Sequence, residues 1–350
     1  MRIAIEAGSL ALSSGGLARY TSELSLALAR CYPEDEYFLI SDQPFAMPAG
    51  APSNLKPGGG PRNAAESRWW LWGLDRELAR LRADVIHGPD FSVPYLCRLP
   101  SVMTLHDLSP WMKAEWHTGA QRVASRTPAL LELGIATMVI TPSASVRKDA
   151  MEKFRLRPER VVAIPEAAPS WLRPCPPAPG APYFLYLGTL EPRKNLPALV
   201  EAWRLVRRRH AIDLVLAGRR REDCPPIPQE AGIRLLGEPA DEDLAGLYSG
   251  AVAFVYPSLY EGFGLPVIEA MQCGACVIAS HAVAEAAGDA AAYADTVEDL
   301  AAALMRAAED AAWRSEHQAR SLAHVAGFSW ERTARATRRV YEEACNRFGG

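Results

Sequence analysis

The sequence predicts an α/β protein built from two successive units, each with a parallel sheet. Short apolar runs alternate with helical patterns along nearly the whole chain, as they do when crossover helices join parallel strands. The chain has 350 residues, about twice the usual size of one domain. A proline-dense stretch at 169–182 interrupts the alternation, which then restarts. We therefore predict an N-terminal domain at 1–168, a linker at 169–182, a second domain at 183–328 and a last helix at 329–350.

In the first domain, strands are predicted at 2–7, 37–40, 84–87, 102–106, 138–141 and 161–165, where the chain is apolar for several residues. A Gly/Ser loop ending in Gly15-Gly16 precedes a helix in which Leu17, Tyr20 and Leu24 recur at helical spacing. Residues 42–66 are rich in Pro, Gly and Asn and are predicted to form a loop. A helix is predicted at 69–82, and Ser143 or Ser145 is expected to cap the helix after the fifth strand.

In the second domain, strands are predicted at 183–188, 213–218, 233–236, 251–256 and 275–279. Helices are predicted at 197–209, 241–248 and 266–273, and further alanine-rich helices follow from Val297. Asp241 is expected to cap the second of these helices, and Ser329 the last helix at 330–348. Ligands of such folds bind at the carboxyl ends of the strands, so the segments that follow the strands carry the candidate site residues.

Composition and charge limit the classes of protein to which the chain could belong. The chain is 49% hydrophobic with a net charge of −3, which suits a globular protein and gives no sign of nucleic-acid binding. No apolar run reaches the roughly 18 residues that span a bilayer, so we expect a cytoplasmic protein, with peripheral contact at the inner membrane face left open. The seven cysteines do not suggest a disulfide framework, and Cys273 and Cys276 lack a second pair to complete a zinc site.

A glycine-rich turn into a helix, flanked by Glu261 and Glu269, is the first candidate site. Pro266 suits the first turn of that helix, whose N-terminus would present backbone N–H groups to a phosphate. The residues that would supply these groups are Phe263, Gly264 and Leu265. Carboxylates suit a sugar or ribose because they accept hydrogen bonds from vicinal hydroxyls. The alternative is a surface glutamate followed by a glutamate that interacts only with the helix dipole.

Two adjacent cations, Arg193 and Lys194, form the second candidate site. They follow the first strand of the second domain and could neutralise a diphosphate, whose negative charge increases as it leaves. The alternative is a solvated loop with surface charges.

The first domain offers weaker signals. Gly15-Gly16 resembles a phosphate-binding loop but lacks the complete motif. His106 and Asp107 follow a strand and could contact substrate hydroxyls or a leaving phosphate, or they could form a hydrogen-bonded loop cap. Asp241-Glu242-Asp243 has the form of a metal-binding D-x-D, but its place at a helix start favours capping.

At these residues the sequence strongly resembles the family-four retaining glycosyltransferases of the GT-B fold, also described as glycosyl transferases group 1. The resemblance covers nearly the whole chain. It rests on motifs in the family's order, which are Gly-Gly-Leu-Ala-Arg-Tyr at 15–20, Leu-His-Asp-Leu-Ser-Pro at 105–110, Gly-Thr-Leu-Glu-Pro-Arg-Lys-Asn at 188–195, the E-x7-E segment from Glu261, and Phe-Ser-Trp-Glu at 328–331.

The resemblance implies two Rossmann-like domains, with the last helix crossing back to the first. It places Arg193 and Lys194 on the donor diphosphate, Glu261 on the transferred sugar and Glu269 on the nucleotide ribose. It further implies that Gly16 lies near the diphosphate and His106 near the sugar. Gly218 and Leu235-Leu236 are implied to lie near the base. The backbone N–H groups of Phe263, Gly264 and Leu265 are implied to lie near the sugar and phosphate. Two departures are Thr189, where many members have Arg, and Pro165-Glu166-Ala167, where a Pro-Asn-Gly turn is common.

The activity implied is transfer of a hexose with retention of anomeric configuration, without a metal or cofactor, to a glycan or lipid-linked acceptor. GDP-mannose is the favoured donor by analogy alone. Alternatives are a UDP-sugar donor, an epimerase or phosphorylase of the same fold, and a silent sugar-nucleotide-binding protein. A further alternative is a membrane-surface adaptor, since Trp69, Trp70 and Trp72 lie among arginines.

Overall fold

A computed structural model describes residues 1–11, 15–113, 116, 121–176 and 180–348. Parts of the predicted Gly/Ser loop and of the proline-dense linker, at 12–14 and 177–179, lie outside the described residues. The chain divides into two compact units. The first comprises Met1–Met112, Gly119–Glu166 and Ser329–Gly350, and the second comprises Lys113–Thr118 and Ala167–Phe328.

The first unit contains a parallel sheet in the order β3-β2-β1-β4-β5-β6-β7. Its strands are β1 (Arg2–Glu6), β2 (Glu36–Ile40), β3 (Leu55–Pro57), β4 (Val85–Gly88), β5 (Ser101–Thr104), β6 (Met138–Thr141) and β7 (Val161–Ala163). Most residues of the inner strands are fully buried, as expected for a sheet covered on both faces.

Helices connect these strands. They are α1 (Gly16–Cys31), α2 (Leu74–Leu81), α3 (Gln121–Glu132) and α4 (Ala144–Phe154). The side chain of Ser143 accepts a hydrogen bond from the backbone N–H of Val146 at 3.2 Å, which confirms that Ser143 caps α4. The predicted helix at 69–82 begins instead with a π-helical turn at Trp69–Gly73, and α2 follows it.

Two elements of this unit were not predicted. β3 lies inside the stretch predicted to be loop and pairs with Tyr37–Leu39 at the edge of the sheet. Three residues that include a lysine and a proline are too few to show an apolar period. α3 contains Pro128, a residue that argues against a helix interior when the sequence is considered alone.

The tryptophans that suggested a membrane-surface patch do not form one. Trp69 is only 2% exposed, and Trp70 packs against the core and lies under the guanidinium of Arg126 at 5.2 Å. Trp72 alone of the three is exposed. No helix among the described residues is both long enough and apolar enough to cross a membrane.

The second unit contains another parallel sheet, in the order β10-β9-β8-β11-β12-β13. Its strands are β8 (Tyr183–Leu187), β9 (Asp213–Ala217), β10 (Ile233–Gly237), β11 (Ala253–Tyr256), β12 (Val277–Ala279) and β13 (Ala292–Tyr293). Together the two sheets confirm the predicted α/β class with two Rossmann-like units. β13 was not predicted, because two residues cannot show a strand pattern.

The helices of the second unit are α5 (Leu196–Arg207), α6 (Asp241–Gly250), α7 (Leu265–Gln272), α8 (Ala284–Ala287), α9 (Val297–Glu309) and α10 (Ala311–Val325). The prediction that Asp241 caps α6 is wrong. Ala240 occupies the cap position, and Asp241 is the first residue of the first turn, beside Glu242 and Asp243. Acids in a first turn interact favourably with the helix dipole, so the sequence signal was real but displaced by one residue.

The last helix, α11 (Trp330–Arg347), belongs to the first unit. Its N-terminus is capped as predicted, because the side chain of Ser329 accepts a hydrogen bond from the N–H of Arg332 at 3.2 Å. Tyr341 of this helix is fully buried, and its hydroxyl lies 2.7 Å from Nδ1 of His87 at the end of β4. The burial of His87 lowers the pKa of its imidazole to about 3, so the ring is neutral in this network.

Candidate active site at the carboxyl edge of the second sheet

The carboxyl ends of β8 and β11 bring three charged side chains together. β8 and β11 are neighbours in the sheet, so the segments that follow them emerge side by side. The segment after β8 forms a short turn at Pro192–Lys194, which carries Arg193 and Lys194. The segment after β11 carries Glu261. The two candidate sites found separately in the sequence are therefore one cluster.

Glu261 contacts both cations. Its Oε2 accepts a hydrogen bond from Nη1 of Arg193 at 2.9 Å, and its Oε1 accepts one from Nζ of Lys194 at 2.5 Å. Lys194 also donates to the hydroxyl of Tyr256 at 2.8 Å, and Arg193 donates to the carbonyl of Tyr260 at 2.8 Å. Backbone and side-chain acceptors thus fix both cations at the end of β11.

The cluster extends through Glu191. Its Oε1 accepts a hydrogen bond from Nη2 of Arg193 at 2.8 Å, and its Oε2 pairs with Nη1 of Arg221. Arg221 follows β9 and donates from Nη2 to Asp223 at 2.6 Å. Each carboxylate of this cluster therefore lies against at least one guanidinium or ammonium group.

Burial makes these interactions strong. The side chains of Lys194 and Glu261 are 6% and 8% exposed. Burial alone would raise the pKa of Glu261, but Arg193 and Lys194 outweigh it and lower the pKa to about 2. Burial and the neighbouring Arg193 lower the pKa of Lys194. Glu261 is thus a carboxylate at every working pH, and it cannot act as a proton donor while both cations hold it.

Two loops beside this cluster approach each other closely. Gly218 follows β9 with φ of +128°, and a Cβ there would lie 2.0 Å from the carbonyl oxygen of Gly188. Gly264, just before α7, has φ of +103°, and a Cβ there would lie 2.6 Å from a methyl carbon of Val283. Both positions therefore need glycine for their backbone conformation and for the space around them.

We expect Gly218→Ala to destabilise the second unit by about 3 kcal/mol, because left-handed strain and overpacking each cost about 1–3 kcal/mol. The urea midpoint of unfolding measures this change. Gly246→Ala is the matched control. Gly246 lies inside α6, and apart from its chain neighbours and the backbone of its own helix no atom would lie within 4 Å of a Cβ there, so alanine should leave the midpoint unchanged or raise it. Equal midpoints for wild type and Gly218→Ala would contradict the close approach.

The second glutamate of the E-x7-E segment occupies a different environment. Glu269 lies in α7, is 3% exposed, and its Oε2 accepts a hydrogen bond from the hydroxyl of Tyr248 at 2.8 Å. Phe263 and Leu265, at the start of the same helix, have buried side chains. The two glutamates therefore have different surroundings. Glu261 contacts two cations, whereas Glu269 accepts a hydrogen bond from a tyrosine. The predicted contact of Glu269 with ribose stays a prediction.

An exposed apolar edge lies at the other side of β9. Leu235 and Leu236 of β10 are 50% and 45% exposed, and β10 is the edge strand of the sheet. The N–H of Gly218 donates to the carbonyl of Gly237 at 2.5 Å, so the end of β10 lies beside the loop that follows β9. Exposed leucines at this position are compatible with the predicted contact to a nucleotide base.

In the first unit, His106 follows β5 and is held by two acceptors. Its Nε2 donates to the carbonyl of Pro89 at 2.7 Å, and its Nδ1 lies 3.2 Å from Oε1 of Glu166. The ring of Tyr20 packs edge-on against it at 4.6 Å between centroids. Burial by itself lowers the pKa of His106, but the interactions with Glu166, the carbonyl of Pro89 and Asp90 together outweigh it, and the pKa is raised. This environment favours a protonated imidazolium.

Asp107 and Gly16 have local structural roles. Oδ1 of Asp107 accepts hydrogen bonds from the N–H and the hydroxyl of Ser109, at 2.9 and 2.6 Å, which is the loop cap considered as the alternative. Gly16 is the first residue of α1, so its N–H belongs to the helix N-terminus, as the predicted diphosphate contact requires. Roles of Asp107 and Gly16 toward a substrate stay predictions.

Sequence reasoning missed several members of these networks. Glu191 stood beside the cation pair in the quoted motif but was not assigned a role. Glu166 appeared only as a departure from a common turn, yet it is the carboxylate that holds His106. Arg221 gave no signal, because its approach depends on backbone hydrogen bonds that join the loop after β9 to Leu190 in the loop after β8. Among the described residues, no group of three His, Cys, Asp or Glu side chains is arranged to hold a metal ion.

The chain matches two family models in tandem. Residues 14–170 match glycosyltransferase family 4, and residues 181–310 match glycosyl transferases group 1. The O-antigen chain mannosyltransferase B of Escherichia coli is 36% identical over 283 residues, which cover 74% of this chain and 74% of that protein.

Solved structures share the fold. Sucrose-phosphate synthase from Thermosynechococcus elongatus superposes with a TM-score of 0.70 at 20% identity, covering 98% of both chains. WaaG, a glycosyltransferase involved in lipopolysaccharide biosynthesis, superposes with a TM-score of 0.68 at 17% identity over the whole of both chains. These neighbours confirm the predicted GT-B fold.

Proposed function

This chain belongs to the glycosyltransferases of group 1, and from that premise we propose that it transfers mannose from GDP-mannose to a glycan or lipid-linked acceptor. The proposal includes retention of the anomeric configuration and independence of a metal ion. The observation that carries it is the buried cation pair, Arg193 and Lys194, held by Glu261 at the carboxyl edge of the second sheet. The similarity to an O-antigen mannosyltransferase supports mannose as the sugar.

Transfer breaks the bond between the anomeric carbon and the diphosphate oxygen, and negative charge develops on the departing group. Fixed cations in a water-poor site stabilise such charge far better than solvated ones do. Arg193 and Lys194 are both buried and held in place before the donor arrives, so the diphosphate has to displace Glu261 but does not have to order the cations. Two side-chain cations supply the charge for which other enzymes use Mg²⁺, and this supports a metal-independent reaction.

The remaining contacts follow from the same arrangement. When the diphosphate takes over the cations, Glu261 becomes available to accept hydrogen bonds from the sugar hydroxyls. We assign the ribose to Glu269 and the sugar or diphosphate to other groups, which are His106, Asp107, Gly16 and the backbone N–H groups of Phe263, Gly264 and Leu265. Gly218 and the exposed leucines of β10 would lie near the base.

A thermal-shift screen tests the donor. We expect GDP-mannose to raise the melting temperature more than UDP-glucose or ADP-glucose, since a ligand at a hundred times its Kd adds about 2.7 kcal/mol of stability. A shift with UDP-sugars alone would replace the donor in this proposal. Sugar-nucleotide conversion without any acceptor would indicate an epimerase instead. Activity lost with EDTA and restored by Mn²⁺ would contradict metal independence.

A further inference from the structure

Six charged side chains form an alternating row in the second unit, which we call the charge row. Its members in order are Asp223, Arg221, Glu191, Arg193, Glu261 and Lys194. Each is in direct contact with the next, and exposure falls from about a fifth at Asp223 and Arg221 to 5–10% at the other four. Three cations and three carboxylates make the row neutral when all six are ionised.

Glu191 occupies a distinctive place in this row because both of its oxygens are engaged by different guanidinium groups. Oε1 accepts from Arg193 and Oε2 pairs with Arg221. Arg193 in turn uses Nη2 for Glu191 and Nη1 for Glu261. Glu191 can therefore keep its hold on Arg193 while the other side of the guanidinium exchanges one anion for another.

Binding of the donor requires Arg193 to exchange one anion for another. A diphosphate that binds Arg193 and Lys194 competes with Glu261 for the same donors. When Glu261 turns to the sugar, Glu191 is the carboxylate that still holds the planar group of Arg193, together with the carbonyl of Tyr260. Without Glu191, the guanidinium would be less well oriented for the diphosphate. Arg221 fixes Glu191 for this task, and Asp223 fixes Arg221.

We propose that Glu191 and Arg221 are positioning residues that hold the guanidinium of Arg193 for the donor diphosphate while Glu261 changes partner. This inference rests on the proposed function, since it requires that Arg193 contacts the diphosphate. Neither residue needs to touch the substrate. Their effect reaches the reaction through Arg193 alone.

Glu191→Gln is the primary test. A glutamine has one acceptor and one donor group, so either orientation turns an NH2 toward one of the two guanidinium groups. We expect KM for the nucleotide sugar and Kd for GDP to rise about tenfold, as expected when about 1.4 kcal/mol of binding is lost. We expect kcat to change less than threefold, because Arg193 stays charged and Lys194 is unaltered, so most of the stabilisation of the leaving diphosphate is kept. Glu201→Gln, an exposed change on α5, is the matched control and should alter neither constant.

A double-mutant cycle separates positioning from a general structural effect. In an Arg193→Gln background, Glu191→Gln should change Kd for GDP less than twofold, because its route to the ligand is already removed. Arg221→Lys keeps one charged donor for Glu191 and should give an effect between wild type and Glu191→Gln. This milder variant also keeps the test valid if Glu191→Gln lowers the urea midpoint too far for assay.

The outcomes separate this inference from the proposed function. Wild type that transfers sugar, with Kd and KM unchanged in Glu191→Gln and Arg221→Lys, would overturn the positioning role and leave the function standing. Multiplicative effects in the double-mutant cycle would also overturn it. Wild type that binds none of GDP, UDP and ADP in calorimetry would overturn both.

Discussion

Lys194→Ala is expected to lower kcat/KM for the nucleotide sugar by about a hundred- to thousandfold while the protein stays folded. Loss of one pre-positioned group that stabilises developing charge typically has an effect of this size. Lys194 is buried and is fixed by Glu261 and by the hydroxyl of Tyr256, so no solvent cation replaces it easily. Initial rates at several donor concentrations measure the effect.

The matched control for this prediction is Lys148→Ala. Lys148 is an exposed residue of α4 in the first unit, so its removal should leave kcat/KM within twofold of wild type. Circular dichroism and the urea midpoint show whether each variant is folded. A folded Lys194→Ala enzyme with a rate close to that of wild type would contradict the assignment of this lysine to the leaving diphosphate.

Glu261→Gln is expected to change two quantities in opposite directions. Transfer should fall at least a hundredfold, because an amide cannot replace the carboxylate on the sugar hydroxyls. Affinity for the free nucleoside diphosphate should rise about tenfold, because the internal anion that occupies Arg193 and Lys194 is gone. A unit charge a few ångströms away is worth several kcal/mol at an effective dielectric near 20, so a tenfold gain is a modest expectation.

The pH dependence sharpens this second prediction. The pKa of Glu261 is lowered to about 2 by Arg193 and Lys194 against the effect of burial, so the group is ionised well above that value. The difference in GDP affinity between wild type and Glu261→Gln should therefore be the same at pH 6 and pH 8. A difference that disappears on going from pH 8 to pH 6 would show that Glu261 titrates in this range and is not held as described.

Much of the fold could be predicted because the buried strands are continuous apolar runs. Met138–Thr141 was predicted with its observed bounds, and β8 and β9 to within one residue. The errors have local causes. β3 and β13 are too short to carry a pattern, the proline within α3 argued against a helix, and Asp241 lies one residue after the cap. At none of these positions is the local preference for one secondary structure strong enough to override tertiary packing.

For the candidate site, too, some features could be predicted from the sequence and others could not. Arg193, Lys194 and Glu261 could be identified as candidate site residues because each follows a strand of one parallel sheet, and the structure brings them within hydrogen-bonding distance. The sequence could not show that Glu261 would lie between the cations, since this depends on side-chain geometry in the absence of a donor. Nor could it show that Glu191 and Arg221 would extend the cluster, because Arg221 lies beside Glu191 through backbone hydrogen bonds between the loop after β9 and Leu190.

Calorimetric titration of GDP into wild type, Lys194→Ala and Glu261→Gln tests most directly whether the cluster at the end of β8 and β11 holds the donor diphosphate. The account predicts that Glu261→Gln binds tightest, wild type is intermediate and Lys194→Ala binds weakest. Equal affinities in all three proteins, or tighter binding by Lys194→Ala than by wild type, would contradict it.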